Sequence, residues 1–257
     1  MNHAPHSEAH PWCAVAASRD VPVQSVIPVM LEELSLAVWR SSDGSIHAWH
    51  DRCPHRGMRL SMGDVAEKGL VCPYHGWRFG GDAQCNFIPA HPGGTPPAAA
   101  RVRPYPAVER NGYIWVARQD TSVEPPSLPA GVTPVRSMHM PVSGERLAGF
   151  WTRACLHATG RFSRVESSCP ETALFQSYVE GSGSILHGKW QSAGLGVDYV
   201  GIVQPTHGGT CMLHLAAQEP LSAEARLGLN RALVALRHEI SRSTACEPKW
   251  GMSHECV

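Results

Sequence analysis

Cys53-Pro54-His55-Arg56-Gly57 and Cys72-Pro73-Tyr74-His75-Gly76-Trp77 are the stretches on which the reading of this chain turns. Each is a short clip that offers one thiolate and one imidazole from a tight loop containing Pro and Gly, and sixteen residues lie between His55 and Cys72. Together the clips present four metal ligands, and the way ligand types are paired decides the metal. A structural zinc site also takes two Cys and two His, but its usual spacing sets Cys with Cys and His with His. Clips that each mix the two types suit a diiron unit, in which each clip gives its Cys to one iron and its His to the other. Pro54 and Pro73 pre-set the backbone beside each Cys. Gly57 and Gly76 are expected to let backbone amides approach the bridging sulfides with no Cβ in the way.

The motifs C-P-H-R-G and C-P-Y-H-G-W resemble the cluster loops of the Rieske proteins, specifically those of the Rieske non-haem iron oxygenases. That resemblance implies a [2Fe–2S] cluster held by Cys53, His55, Cys72 and His75. Two neutral imidazoles in place of thiolates raise the potential to roughly −150 to +300 mV, against about −400 mV for plant-type clusters. In cytochrome bc-type Rieske proteins each loop carries a further Cys, and the two form a disulfide. The corresponding positions here are Met58 and Tyr74, which favours the oxygenase branch and the lower part of that range.

A chain of 257 residues with 43% hydrophobic content can bury a core of one large or two modest domains. Its formal net charge of zero gives no basic surface for nucleic acid or an anionic membrane as main partner. Of nine Cys, seven fall outside the clips and are scattered, and the first ten residues are polar with no apolar core region. The expectation is a soluble, cytoplasmic protein with no membrane span, its remaining thiols mostly buried as small hydrophobes.

Residues 11 to 50 alternate as short antiparallel strands, ending in a hairpin across Ser42-Asp43-Gly44-Ser45 that leads into the first clip. After the second clip come Trp77-Arg78-Phe79, a Gly80-Gly81-Asp82 turn and Cys85 to Ile88. Pro89 to Pro106 reads as loop, and a last hairpin through Asn111-Gly112 closes an all-β domain over residues 1–118, as the resemblance implies. His47, His50 and His91 lie near the clips but are read as ordinary surface or core residues. Arg52, Arg56, Arg59 and Arg78 are either solvated or form a positive rim for an acidic ferredoxin-like donor. Trp77 is expected to pack over the cluster and exclude water.

Residues 119–136, with Pro125, Pro126, Pro129 and Pro134, read as an extended linker. Over residues 137–257 the pattern predicts a helix across Glu145 to Thr159 and a hairpin joining Tyr199–Val203 to Cys211–Ala217. A long helix then begins at Ser222, with Ala225, Leu229, Leu233, Leu236 and Ile240 on one face. The fold class expected is α+β: an all-β Rieske domain, then a shortened helix-grip-like antiparallel sheet with a C-terminal helix.

The resemblance also implies a mononuclear iron held by two His and a carboxylate, with the His drawn from an acidic-x-x-His-x-x-x-x-His segment. No two His after the linker have that spacing. With His157 set on the first family His, Ala154 stands where the acidic residue belongs and Phe162 where the second His belongs. Asn230 and Arg231 stand near the carboxylate position and cannot replace it. The preferred expectation is therefore a cluster without mononuclear iron and no catalytic residues of its own. Such a chain relays electrons from a flavin or ferredoxin-type reductase to an iron-bearing oxygenase subunit, in a hetero-oligomer built on the family's trimers. The alternative is a complete monooxygenase or dioxygenase for aromatic, amine or polycyclic substrates, with an unusual set such as His157, His187 and Glu166 or Glu171. Without a Gly-rich dinucleotide motif, nicotinamide binding is assigned to another protein.

Overall fold

The computed structural model describes residues 11–152, 154–156, 162–164, 185–192 and 195–245. Strands β1 (Trp12–Ala17), β10 (Ala107–Arg110) and β11 (Tyr113–Ala117) form a three-stranded antiparallel sheet, with β11 central. Strands β2 (Ser25–Leu31), β3 (Leu34–Arg40), β4 (Ile46–His50) and β9 (Pro104–Tyr105) form a second sheet in that order. Strands β5 (Asp64–Ala66), β6 (Gly69–Val71), β7 (Arg78–Phe79) and β8 (Cys85–Phe87) form a third. The hairpin predicted before the first clip is β3–β4, paired from Leu36↔His50 to Arg40↔Ile46. Trp39 and Trp49 meet edge to face at 4.8 Å, and both are buried in one core with Cys53, Leu60, Leu70, Cys72 and Phe79.

The later half is built on the sheet β12–β17–β16–β15, from β12 (Val132–Met140), β15 (Ile185–Ser192), β16 (Leu195–Thr206) and β17 (Thr210–Gln218). Helix α2 (Ala223–Ala245) begins as predicted, the Ala225 amide donating to Ser222 Oγ at 3.1 Å. Ala225, Leu229, Leu233, Leu236 and Ile240 are all buried against one face of the sheet, in a core shared with Leu147 and Trp151 of α1 (Gly144–Thr152). Each fully buried aliphatic side chain stabilises by about 1.5–3 kcal/mol, enough to hold the helix there despite Gly228 in its interior. The other face of the sheet packs on the first half: Ile185, Val200, Ile202 and Ala216 meet Trp12, Tyr113 and Trp115. Among the described residues no helix is long and apolar enough to cross a membrane.

Several expectations need correction. The helix predicted to Thr159 ends at Thr152, and Ala154–Leu156 pairs as a strand, β13, with Phe162–Arg164, β14. Spacing alone could not separate a short apolar run on a helix from one on a strand. The stretch between the clips, for which no element was predicted, holds β5 and β6. The expected linker 119–136 overlaps β12, which starts at Val132. Pro134 reads as a linker residue in the sequence, yet β12 is an edge strand and its register shifts between Pro134 and Arg136, where a missing amide is tolerated. His157, Glu166 and Glu171 lie outside the described residues.

Candidate metal centre

The two clips are built alike. In the first, the Cys53 amide donates to Met58 O at 2.8 Å and the Gly57 amide to Cys53 O at 2.8 Å. In the second, the Cys72 amide donates to Trp77 O at 2.8 Å and the Gly76 amide to Cys72 O at 3.1 Å. Gly57 and Gly76 adopt positive φ of 73° and 68°. They thus serve backbone reversal in each clip, their own amides bonded to the Cys carbonyls. Neighbouring pairs of the β5–β8 sheet lead into and out of the second clip, so Cys72 follows β6 directly and Trp77 precedes β7.

The four side chains divide by chemistry. Cys53 and Cys72 are each 2% exposed and share the core with Leu60, Leu70 and Phe79, whereas His55 and His75 lie at the surface. Burial pushes the Cys53 thiol up to about 11, and its hydrogen bond with the Cys72 thiol adds to that. The His55 and His75 rings stand 4.7 Å apart, edge to face. Slight desolvation, then the neighbouring His55 and Arg56, hold His75 below the usual imidazole range. Paired buried sulfurs under paired exposed imidazoles fit the donor set that a [2Fe–2S] cluster with two Cys and two His ligands would need. Among the described residues no three His, Cys, Asp or Glu side chains converge as ligands to a single ion.

Trp77 lies flat against His55, with centroids 4.5 Å apart and planes 4° from parallel, and Tyr74 packs on His75 at 3.8 Å. One supporting residue escaped the sequence reading. Asp51, 4% exposed, accepts from the Ser61 amide at 2.7 Å and from Ser61 Oγ at 2.6 Å, while its own amide donates to Ser35 O. It ties the entrance of the first clip to its exit. The only cue in the sequence was an acid two residues before Cys53 with a Ser ten residues further on.

The neighbouring residues separate cleanly. His47, read as an ordinary surface or core residue, stacks on Trp39 at 4.3 Å, and burial lowers its pKa. Arg78 is structural: its Nε donates to Asn86 Oδ1 at 2.8 Å and its guanidinium lies 4.9 Å from the Phe87 ring centroid. Arg52, Arg56 and Arg59 are exposed, and no described carboxylate pairs with them. In the later half, His139, His207 and His238 are exposed on separate elements, while His214 is buried and bonded to Ser137 and Gln204.

Residues 11–106 match the family described as the Rieske [2Fe-2S] domain. Oxidoreductase NdmD of Pseudomonas putida is 39% identical over 126 residues, which are 49% of this chain and 21% of that protein. Methylxanthine N1-demethylase NdmA of the same organism is 35% identical over 122 residues, 47% of this chain and 34% of that one. The matched stretch is thus about a third or less of these relatives' own length. The solved structure of Pseudomonas putida CBB5 NdmA superposes with a TM-score of 0.71 at 22% identity, covering 96% of this chain and 84% of that one. Dicamba monooxygenase with non-heme iron and dicamba gives 0.58 at 19% identity, covering 95% and 91%. These superpositions establish a shared fold across both halves.

Proposed function

From a chain that carries a Rieske [2Fe–2S] domain and has the fold of the Rieske oxygenase structures, we propose an electron-transfer subunit of a Rieske oxygenase system, with Cys53, His55, Cys72 and His75 as cluster ligands. The observation that carries this reading is the pair of matching clips, which set two thiols in the core beneath two surface imidazoles 4.7 Å apart. When bound, the cluster supplies one-electron transfer. The chain's own residues do the rest. The buried walls around Cys53 and Cys72 exclude water, Trp77 covers one face of His55, and the outward ring edges of His55 and His75 offer the shortest way from the protein's interior to a partner.

Arg52, Arg56 and Arg59 surround that exit with positive charge and no described counter-charge, which suits an acidic ferredoxin or flavin reductase as donor. The acceptor is the mononuclear iron of a partner oxygenase subunit in a trimer-based hetero-oligomer. This part rests on the absence from the sequence of the acidic-x-x-His-x-x-x-x-His segment and on Asn230 and Arg231 standing near the position of the expected carboxylate.

Iron analysis separates the relay from a self-sufficient oxygenase. After anaerobic reconstitution the expected content is two irons per chain, with reductase-dependent bleaching of the cluster and no oxygenated product from the chain alone. A third tightly held iron, together with turnover of a substrate by the lone chain, overturns the relay.

A further inference from the structure

A cavity of about 510 Å³ lies between the two halves, on the face of the β12–β17–β16–β15 sheet opposite α2. One wall comes from β1 and β2, the other from β12, β16 and β17. That volume is within the range of small-molecule sites, and junctions between structural units are where such sites are commonly found. Val15, Ile27, Val29, Met30 and Met212 give the cavity an apolar lining, and the two thioethers can adapt to a ligand's shape.

The polar part of the lining is made of hydroxyls, one amide, the imidazoles of His139, His207 and His214, and one carboxylate. Ser137, His214 and Gln204 form a chain: Ser137 Oγ to His214 Nδ1 at 2.8 Å, His214 Nε2 to Gln204 Oε1 at 2.8 Å, and Gln204 Nε2 onward to Met30 O at 2.7 Å. Gln204 and His214 are 3% and 2% exposed, and burial holds the imidazole neutral. Thr206 and Thr210 bond to each other, and the side chain of His207 is held by Glu33. Asp20, at the rim, is the one carboxylate lining the cavity, and no described residue hydrogen-bonds or ion-pairs with it. Its neighbour Arg19 instead directs its guanidinium to the carbonyls of Pro134 and Val135, at 2.7 and 2.8 Å. No Arg or Lys lines the space.

The geometry points to a binding site, separate from the cluster, for a small amine: a protonated ammonium held at Asp20 with an apolar body laid against Val29, Met30 and Met212. A carboxylate at the rim of an apolar pocket that no Arg or Lys lines attracts such a cation and repels an anion of the same shape. This inference does not depend on the relay reading, and its test measures binding alone.

The test compares three probes of similar size on the full chain with its cluster: 2-phenylethylammonium, neutral 2-phenylethanol and anionic 3-phenylpropionate. Binding is followed by calorimetry and by the methyl resonances of carbon-13-labelled methionines. The ammonium probe is expected to bind saturably and most tightly, with 3-phenylpropionate weakest, and to shift the Met30 and Met212 methyls. Asp20→Asn should weaken the ammonium by up to about fivefold, as for an exposed ion pair, and remove its advantage over the alcohol. Asp20→Glu should keep that advantage, and Met212→Trp, which fills the space from the other wall, should weaken all three. Equal affinities, an unaltered preference in Asp20→Asn, or binding that leaves the Met30 and Met212 methyls unmoved overturns the proposal.

Discussion

Trp77 covers His55 as a flat lid, the two rings 4.5 Å apart and within 4° of parallel. One face of a surface imidazole is thereby shielded while its edge stays free to meet a partner. Trp77→Ala removes the lid without touching a ligand residue, so the cluster's visible spectrum should survive. Water then reaches the imidazole side and stabilises the extra negative charge of the reduced state. The expected result is a midpoint potential higher by some tens of mV, since solvent exposure is one of the settings of such clusters, as read by spectroelectrochemistry. A potential unchanged in Trp77→Ala would mean that the stack is only packing.

The proposed division of the histidines into ligands and bystanders gives a second expectation. His55→Ala or His75→Ala should abolish the cluster outright, because two irons need all four protein ligands, and iron content should fall with the visible bands. His47→Ala should leave both intact and cost stability instead, since its ring packs on Trp39 and borders Gly81. Retention of the full spectrum in His75→Ala contradicts the ligand assignment.

Gly76 and Gly44 share a left-handed backbone, at φ 68° and 89°, but sit in different surroundings. A Cβ at Gly44 meets open space, whereas one at Gly76 lands 2.9 Å from Pro89 Cγ, on the turn that carries His75. Each Gly→Ala change costs roughly 1–2 kcal/mol for the backbone alone, visible as a lower melting temperature. Only Gly76→Ala should also lower the iron bound per chain. Equal iron content in the two variants would show that the clip tolerates the shift.

The candidate site was legible because its chemistry is local. Cys53, His55, Cys72 and His75 announce themselves within two short loops, and alternation with turn residues places β3 and β4 around Ser42–Ser45 without tertiary information. The helix from Ser222 was legible for the same reason, its cap and its buried face both being short-range patterns. What stayed hidden depends on contacts distant in sequence. Pro134 belongs to a strand only because β17 lies beside it and the register slips there. Asp51 looks like any surface acid until the fold brings Ser61 to it. The cavity below Asp20 exists only where β2 meets β16 and β17, and no spacing in the chain encodes that meeting.

His214 sets a pH dependence whose sign can be worked out. Burial lowers its pKa from 6.5 to about 4 in the folded chain. Between those values the unfolded chain binds the proton and the folded chain does not, so stability rises with pH across this window. The contribution is fully present above about pH 6.5, is lost progressively as pH falls, and is gone below about pH 4. A shift of that size corresponds to about 3 kcal/mol. The neutral ring is wanted because Ser137 Oγ donates to its Nδ1 while its Nε2 donates to Gln204; a second ring proton would leave two donors facing each other at Nδ1 until the hydroxyl turned away. His214→Gln cannot titrate. Urea midpoints of the two proteins, taken at pH 7.5, 5.5 and 4.5, should therefore converge as the pH is lowered, the native chain losing its advantage. Curves that run parallel down to pH 4.5 would place the acid sensitivity elsewhere.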